Sequence, residues 1–429
     1  MKAYFKKVIV KILELEARAV LWRYKPKIVA VTGNVGKTST KDAVYTALSQ
    51  FFFVRKSEKS FNSDVGVPLT ILGLPNAWNN PVMWIQNILK GLQLIVYSPA
   101  YPKWLVLEVG ADRPGDIQKI STWLHPDVVV VTRFSAVPVH VEFFGSKDEV
   151  VKEKGYLVKA LKKDGFLVLN ADDADVMSYA KESFIKPLTY GSLAPATVRG
   201  SEFHLVYEGG NVSGITFKVD YQGNCMPVSV GGILGSHHMY PVLGAFAVAM
   251  SQGLNPVKVG QALASYVPPR GRMNIIKGKN GSILIDDSYN SSPIALEEAL
   301  NTLEMAVCTG KKIAILGDML ELGKFSIEEH KRLGKKLAKI CDTLVTVGIR
   351  GKFFAEGALK ARMGKRKVVS FETSIEAGDF IQNKVEKGDL ILIKGSQGVR
   401  MEKVTKILLG EPERAQELLV RQDEEWSKR

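Results

Sequence analysis

The stretch Ile28–Thr40, IVAVTGNVGKTST, leaves this chain few folds to choose from. The apolar run Ile28–Val31 reads as a buried strand. It breaks into Thr32-Gly33-Asn34-Val35-Gly36, and Lys37-Thr38-Ser39-Thr40 then opens a helix. Strand, glycine turn, Lys-Thr and helix together form a phosphate cradle. Glycines let backbone N–H groups approach an anion, and the helix N-terminus adds partial positive charge. Lys37 can reach outer phosphates, and the Thr38 hydroxyl can ligand magnesium. The general phosphate-loop pattern wants glycine six residues before the lysine, where Val31 stands. The loop is therefore a variant. A tight strand–helix turn without a ligand is the competing reading; two glycines, a lysine and a threonine at this spacing favour the phosphate loop.

Around this loop the chain is expected to be α/β. Trp104–Val109, Asp127–Thr132 and Gly165–Asn170 read as buried strands, with helices between them such as Lys147–Leu161. That alternation predicts a doubly wound, mostly parallel sheet. Phe51–Val54 reads as a further short strand. From Thr197 to Val230 short alternating segments between Gly-Gly and Gly-Asn turns predict a small antiparallel region. Val267-Pro268-Pro269-Arg270-Gly271-Arg272 reads as a linker. Beyond it, strands at Ser282–Ile285, Lys312–Leu316, Thr343–Val347, Lys367–Phe371 and Asp389–Ile393 predict a Rossmann-like α/β domain. The expected division is an N-terminal amphipathic helix (1–27), a central nucleotide-binding domain (28–268) and a C-terminal domain (269–429). The tail Glu411–Arg429 reads as a solvated helix.

The N-terminal segment has charges within its apolar stretch, with Phe5, Val8, Ile12, Leu15 and Val20 near one helical face. It is too polar to span a bilayer. Capping its own domain is the preferred reading, with contact to an anionic membrane surface as the alternative. Pro81–Tyr97 is apolar and aromatic but interrupted by Gln86, Asn87, Lys90 and Gln93, and reads as a half-buried helix, with a weak membrane- or partner-facing patch shared with the N-terminal helix as the alternative. The formal charge of +14 favours acidic partners, although a lysine-rich solvated surface accounts for it equally well. No nucleic-acid-binding signature accompanies that charge. Cys225, Cys308 and Cys341 lack metal-type spacing and suggest a reducing, cytoplasmic setting.

Three further residues draw attention beside the loop. Glu108 closes a buried strand, where a charge is costly unless paired or metal-bound. With Thr38 it offers the oxygen ligands that magnesium prefers. His140 lies in a loop and Lys154 on a charged helix. Taken singly, these two have ordinary readings, a loop histidine and a solvated lysine, and a lysine beside a cation is repulsive unless chemically changed.

The order of motifs is more specific than any one of them. TGNVGKTST, FNSDVGVPLTIL, LEVGADRPGDI, HVEFFGSKDEVVKEKGYL, LNADD, GRMN, IDDSYNSSP, LGDMLELG and KGSQGVRME run from about Ile28 to Met401 and resemble the Mur ligase family. Within it they resemble the branch that adds D-alanyl-D-alanine to a muramoyl tripeptide in peptidoglycan precursor synthesis. The resemblance implies an ATP-dependent amide ligase working through an acyl phosphate. Gly33, Asn34, Val35, Gly36, Lys37, Thr38 and Ser39 would bind the ATP phosphates, joined by Arg272, with Asp287 at the ribose. Thr38 and Glu108 would hold one magnesium. His140 and a carbamylated Lys154 would serve a second, making Lys37, Lys154 and His140 the catalytic set. Asn62 and Lys394 would contact substrate.

The implied partners are a muramoyl-peptide acceptor and D-Ala-D-Ala, the implied location is the cytoplasm, and a monomer is expected. Only residues 1–27 precede the loop strand, so the family's uridine-nucleotide domain is expected to be absent. His238 and Pro241 stand where the family usually has asparagines, and Thr132-Arg133 where Thr-Asn is usual. A sister ligase of folate-type or other acceptor and a non-catalytic nucleotide-binding subunit are the competing functions.

Overall fold

A computed structural model describes residues 2–58, 61–97, 99–134, 144–193, 195–423 and 426. The strands are β1 (Lys27–Thr32), β2 (Val54–Lys56), β3 (Trp104–Glu108), β4 (Val128–Val131), β5 (Phe166–Asn170), β6 (Leu188–Gly191), β7 (Val198–Glu208), β8 (Asn211–Tyr221) and β9 (Asn224–Gly231). They form one sheet ordered β2-β3-β1-β4-β5-β6-β7-β8-β9. The pairings are parallel as far as β6–β7 and antiparallel from β7 to β9. The antiparallel segments thus extend the parallel sheet.

Strict alternation sorts the side chains of the central strands onto two faces. Val29, Val31, Val106, Val128, Val130 and Val168 face one core, closed by α2 (Lys37–Ser49) and the helices Met239–Ser251 and Pro256–Ala264. Ile28, Ala30, Leu105, Leu107, Val129, Leu167 and Leu169 face the other, closed by α1 (Lys2–Tyr24), α3 (Gly66–Leu72) and the helices Asp116–Ser121, Lys147–Lys159 and Ala174–Glu182. A further helix, α4 (Pro81–Tyr97), lies outside α1.

The second sheet contains β10 (Asn274–Lys277), β11 (Ile283–Asp287), β12 (Lys312–Gly317), β13 (Thr343–Val347), β14 (Val368–Phe371) and β15 (Leu390–Lys394), ordered β10-β11-β15-β12-β13-β14. All of its pairings are parallel except β10–β11. Its two faces carry separate cores, so it too is a helix-covered layer. The fold is α/β throughout.

Three local expectations are corrected. Phe51–Val54 is not a strand. The amides of Phe51 and Phe52 both bond to Leu48 O, continuing the helix end, and Phe52 packs against Trp104. Pairing with β3 begins only at Val54. The strand β10 has no counterpart among the strands expected from the sequence, because NIIK is short and lies on a sheet edge.

The N-terminal helix buries a different face from the one read. Ile9, Leu13, Ala17 and Val20 are buried, while Val8 and Leu15 are exposed. The tail is not a solvated helix. Among its described residues the tail forms the short helix Ala415–Leu418, and Leu419 is buried. Buried Glu402 needs counter-charge, and Arg400 and Arg421 supply it. Arg421 also donates to the carbonyls of Ser288 and Tyr289.

Glu16 is a cost inside this architecture. It is buried between α1 and α4, and neither carboxylate oxygen has a hydrogen-bond partner. Desolvation raises its pKa from 4.5 to about 7. The folded state therefore holds the proton more tightly than the unfolded state, and stability falls as pH rises from about 4.5 through about 7. Glu16→Gln is expected to raise the denaturant midpoint above pH 7 and to flatten its pH dependence across that window, measured by urea titration at stepped pH.

Candidate active site

The loop that follows β1 is held on both sides. In the sheet register Val31 lies beside Glu108 on β3, and Thr32 beside Val131 on β4. Thr132, just past β4, donates its hydroxyl toward Thr32 O (3.1 Å) and Val35 O (2.7 Å). The amides of Asn34 and Val35 donate to Arg133 O at 2.8 and 3.2 Å. Gly33 has φ +133°, and a Cβ there would lie 2.0 Å from Thr132 Oγ1. Gly36 has φ +84° and faces open space. The first glycine is required by both conformation and contact, the second by conformation alone.

Glu108 sits at the C-terminal end of β3, where the register delivers it to the loop. Its Oε2 accepts from Thr38 Oγ1 at 2.9 Å, and its Oε1 accepts from Asn62 Nδ2 at 3.1 Å. Thr38, Glu108 and Asn62 thus meet as one oxygen-rich cluster. Lys37 Nζ donates to Asn34 O within its own loop at 3.1 Å.

Lys154 projects from the helix Lys147–Lys159 into the same space. It is only 3 % exposed and makes no hydrogen bond or ion pair among the described residues. Burial, and then the neighbouring Lys37, push its pKa down to about 7. Lys37 is also lowered, by burial first, with Arg272 adding to the fall and Glu108 opposing it. Its helix neighbour Glu153 does not pair with Lys154. It accepts instead from the amides of Gly115, Ile117 and Gln118, capping the helix Asp116–Ser121.

The second domain closes the cleft, which holds about 450 Å³. Arg272 stacks over Tyr289 with its guanidinium carbon 4.2 Å from the ring centre. Asp287 ends β11 beside Lys394 on β15. Lys394 Nζ donates to Asp287 Oδ2 at 2.6 Å and to Asn290 O at 3.0 Å. Lys394 therefore props the Asp287–Asn290 loop as well as lining the cleft.

Gly33, Asn34, Val35, Gly36, Lys37, Thr38, Ser39, Asn62, Glu108, Lys154, Arg272, Asp287 and Lys394 all line this one cleft. His140 lies outside the described residues. With Arg133 paired to Glu298 and Lys394 to Asp287, the basic groups Lys37, Lys154 and Arg272 are left to face Glu108 and Asp112, so the cleft favours an anionic ligand.

Of the further wall residues, Arg133 and His238 stand out in the sequence only as departures from the family's usual asparagines, and Glu298, His237 and Tyr240 are given no role there. Arg133 Nη1 pairs with Glu298 Oε1 across the domains at 2.7 Å. His237 lies 4.0 Å from Glu298, but burial pushes its pKa down to about 3, so this is not an ion pair. His238 is held well below the usual histidine range, and its ring nitrogens have no hydrogen-bond partner among the described residues. Tyr240 donates to Asp172 Oδ2 at 2.9 Å, and Asp172 also accepts from the amides of Ser192 and Leu193. An arginine one residue past the loop-anchoring threonine was the available signal for the domain bridge.

Comparison with known proteins agrees with this arrangement. The Mur ligase middle domain matches residues 31–249, and the Mur ligase glutamate ligase domain matches residues 271–397. The UDP-N-acetylmuramoyl-tripeptide–D-alanyl-D-alanine ligase of Bacillus subtilis is 30 % identical over 402 residues, 93 % of this chain and 79 % of that protein. The crystal structure of the Thermotoga maritima MurF ligase in complex with ADP superposes with a TM-score of 0.75 at 25 % identity, covering 95 % of this chain and 84 % of that one. Mycobacterium tuberculosis folylpolyglutamate synthase complexed with ADP shares the fold, with a TM-score of 0.63 at 13 % identity over 92 % of this chain and 94 % of that one.

The two loop glycines separate experimentally. Gly33→Ala meets Thr132 as well as an unfavourable φ and is expected to cost more than the roughly 1–3 kcal/mol of backbone strain that Gly36→Ala incurs alone. Chemical denaturation of the nucleotide-free variants reads the difference; equal losses would contradict the close contact.

Proposed function

The chain belongs to the Mur ligase family, and from that premise we propose that it is an ATP-dependent amide ligase that joins D-Ala-D-Ala to a UDP-N-acetylmuramoyl tripeptide in peptidoglycan precursor synthesis. The observation that carries the reading is the meeting of the loop Gly33–Ser39, Glu108 and the buried Lys154, unpartnered among the described residues, in one cleft walled by Arg272 of the second domain. The curated relatives named for this activity support the choice of substrates. A cytoplasmic enzyme follows from the same reading.

In the proposed reaction the tripeptide carboxylate attacks the γ-phosphorus of ATP, and ADP leaves. The amine of D-Ala-D-Ala attacks the carbonyl carbon of the acyl phosphate. The tetrahedral intermediate then expels phosphate carrying the former carboxylate oxygen. This chemistry needs neutralised charge and fixed positions more than a protein nucleophile. Loop amides, Lys37 and Arg272 hold the phosphates, and Asp287 takes the ribose. Asn62 orients Glu108 and meets substrate together with Lys394.

The residues fit magnesium. Thr38 and Glu108 are hard oxygen donors already in contact, leaving further positions for phosphate and water. Magnesium there would screen the charge on the transferring phosphoryl group. An unmodified Lys154 would not serve as an oxygen ligand, but its carbamate would; His140 is the second ligand that the family resemblance implies. Carbamate formation needs a neutral amine and carbon dioxide. A pKa of about 7 leaves roughly half of the amine neutral at neutral pH, against about one part in a thousand for an ordinary lysine.

Phosphate release that depends on both UDP-N-acetylmuramoyl tripeptide and D-Ala-D-Ala tests the reading, and its absence with any muramoyl peptide would refute it. Lys154→Ala is expected to lower turnover by about 10²–10³-fold, with partial rescue by formate or acetate. Turnover of the unmodified chain should fall below about pH 7, as Lys154 protonates, and recover with added bicarbonate. A Lys154→Ala enzyme of full activity would remove the carbamate from the scheme.

A further inference from the structure

The helix α4 is built inside out. Its buried residues are Asn87 and Gly91. Asn87 donates to Pro75 O at 2.8 Å. Gly91 leaves room for Glu16 of α1, whose Oε2 would lie 2.2 Å from a Cβ at that position. Trp84, Leu94 and Ile95 pack half-buried on the core, while the helix's other face carries an apolar series that points outward. Val82, Ile85, Leu89, Leu92 and Val96 follow one another at helical spacing and are 48–66 % exposed. The neighbouring α1 buries Ile9, Leu13, Ala17 and Val20, yet carries a second exposed series, Val8, Leu15 and Trp22, at seven-residue spacing. Packing of the fold explains the inward faces of these helices and leaves the outward ones unaccounted for.

The charge around this face selects its occupant. Residues 1–27 and 76–103 together contain ten lysines and arginines against two glutamates, a net +8 of the chain's +14. Of the two glutamates, Glu14 already pairs with Lys11 and Arg18, and Glu16 is buried under α4. A second copy would oppose two surfaces of the same strong positive sign. An apolar stripe with basic flanks and exposed aromatic residues, here Trp22 and Tyr97, has instead the composition of a helix lying in the headgroup region of an anionic bilayer. Among the described residues no helix is long and apolar enough to cross a membrane, so the contact is with the surface. None of these outward residues lines the cleft.

We propose that α4, backed by α1, is a docking surface for a bilayer carrying anionic lipid. Flotation of the full chain with vesicles tests it. The partition coefficient should be about tenfold higher on vesicles with roughly a third phosphatidylglycerol than on pure phosphatidylcholine, and should fall with added salt. Ile85→Ser combined with Leu89→Ser should lower binding about tenfold while leaving nucleotide-dependent phosphate release in solution unchanged. In the unmodified chain, brominated lipid in the same vesicles should quench tryptophan fluorescence, a readout that does not depend on any variant folding. Absence of binding to anionic vesicles, binding unaffected by the double substitution, or lack of quenching would each overturn the proposal. So would light scattering that shows a dimer, dissociated by the double substitution, in place of vesicle binding.

Discussion

The site depends on how tightly the loop after β1 is fastened to its two neighbouring strands. Thr132 and Arg133 pin it from β4 with five hydrogen bonds to or from the main chain. From β3 the register brings Glu108 level with Val31, close enough for Thr38 to bond it. A strand displaced by one residue would turn Glu108 to the opposite face. The parallel pairing of three buried strands is thus what converts a glycine-rich turn into a placed cluster of loop amides, hydroxyl and carboxylate. The position also obeys the rule for open α/β sheets, with the ligand crevice at the carboxyl ends of the strands where the order reverses about β1.

The second domain adds what the loop lacks. It brings Arg272 and the Asp287–Lys394 pair to the cleft and connects to the loop's anchor through Arg133 and Glu298. That bridge is partly exposed and contributes little stability of its own, about 1 kcal/mol at most. Its use is geometric, because it ties the wall of one domain to the residue that holds the phosphate loop of the other. The chain's last described residues serve the same site at a distance. Arg421 satisfies buried Glu402 and fastens the carbonyls of Ser288 and Tyr289, beneath the ring on which Arg272 stacks.

Most of the central sheet was legible from periodicity, because strands buried on both faces are continuous apolar runs bounded by Gly, Asp and Asn. The loop and Glu108 were legible for the same reason, since a charge closing such a run stands out. Lys154 was not legible from composition. Its charged helix reads as solvated, and only the motif order singled it out before burial did. The outward apolar face of α1 was misassigned because Val8 and Leu15 are as apolar as Ile9 and Leu13, and hydropathy does not say which face meets the sheet. The Arg133–Glu298 bridge and the role of Arg421 escaped because the partners are 165 residues apart in the first case and 19 or more in the second, contacts that no local pattern encodes.

The central claim is that this cleft activates a carboxylate with the γ-phosphate of ATP. The most direct test uses an acceptor whose terminal tripeptide carboxylate carries ¹⁸O, with mass analysis of the phosphate released during amide formation. Transfer of ¹⁸O from the carboxylate into the phosphate is the predicted result. Amide formed with ¹⁸O-free phosphate would contradict the account.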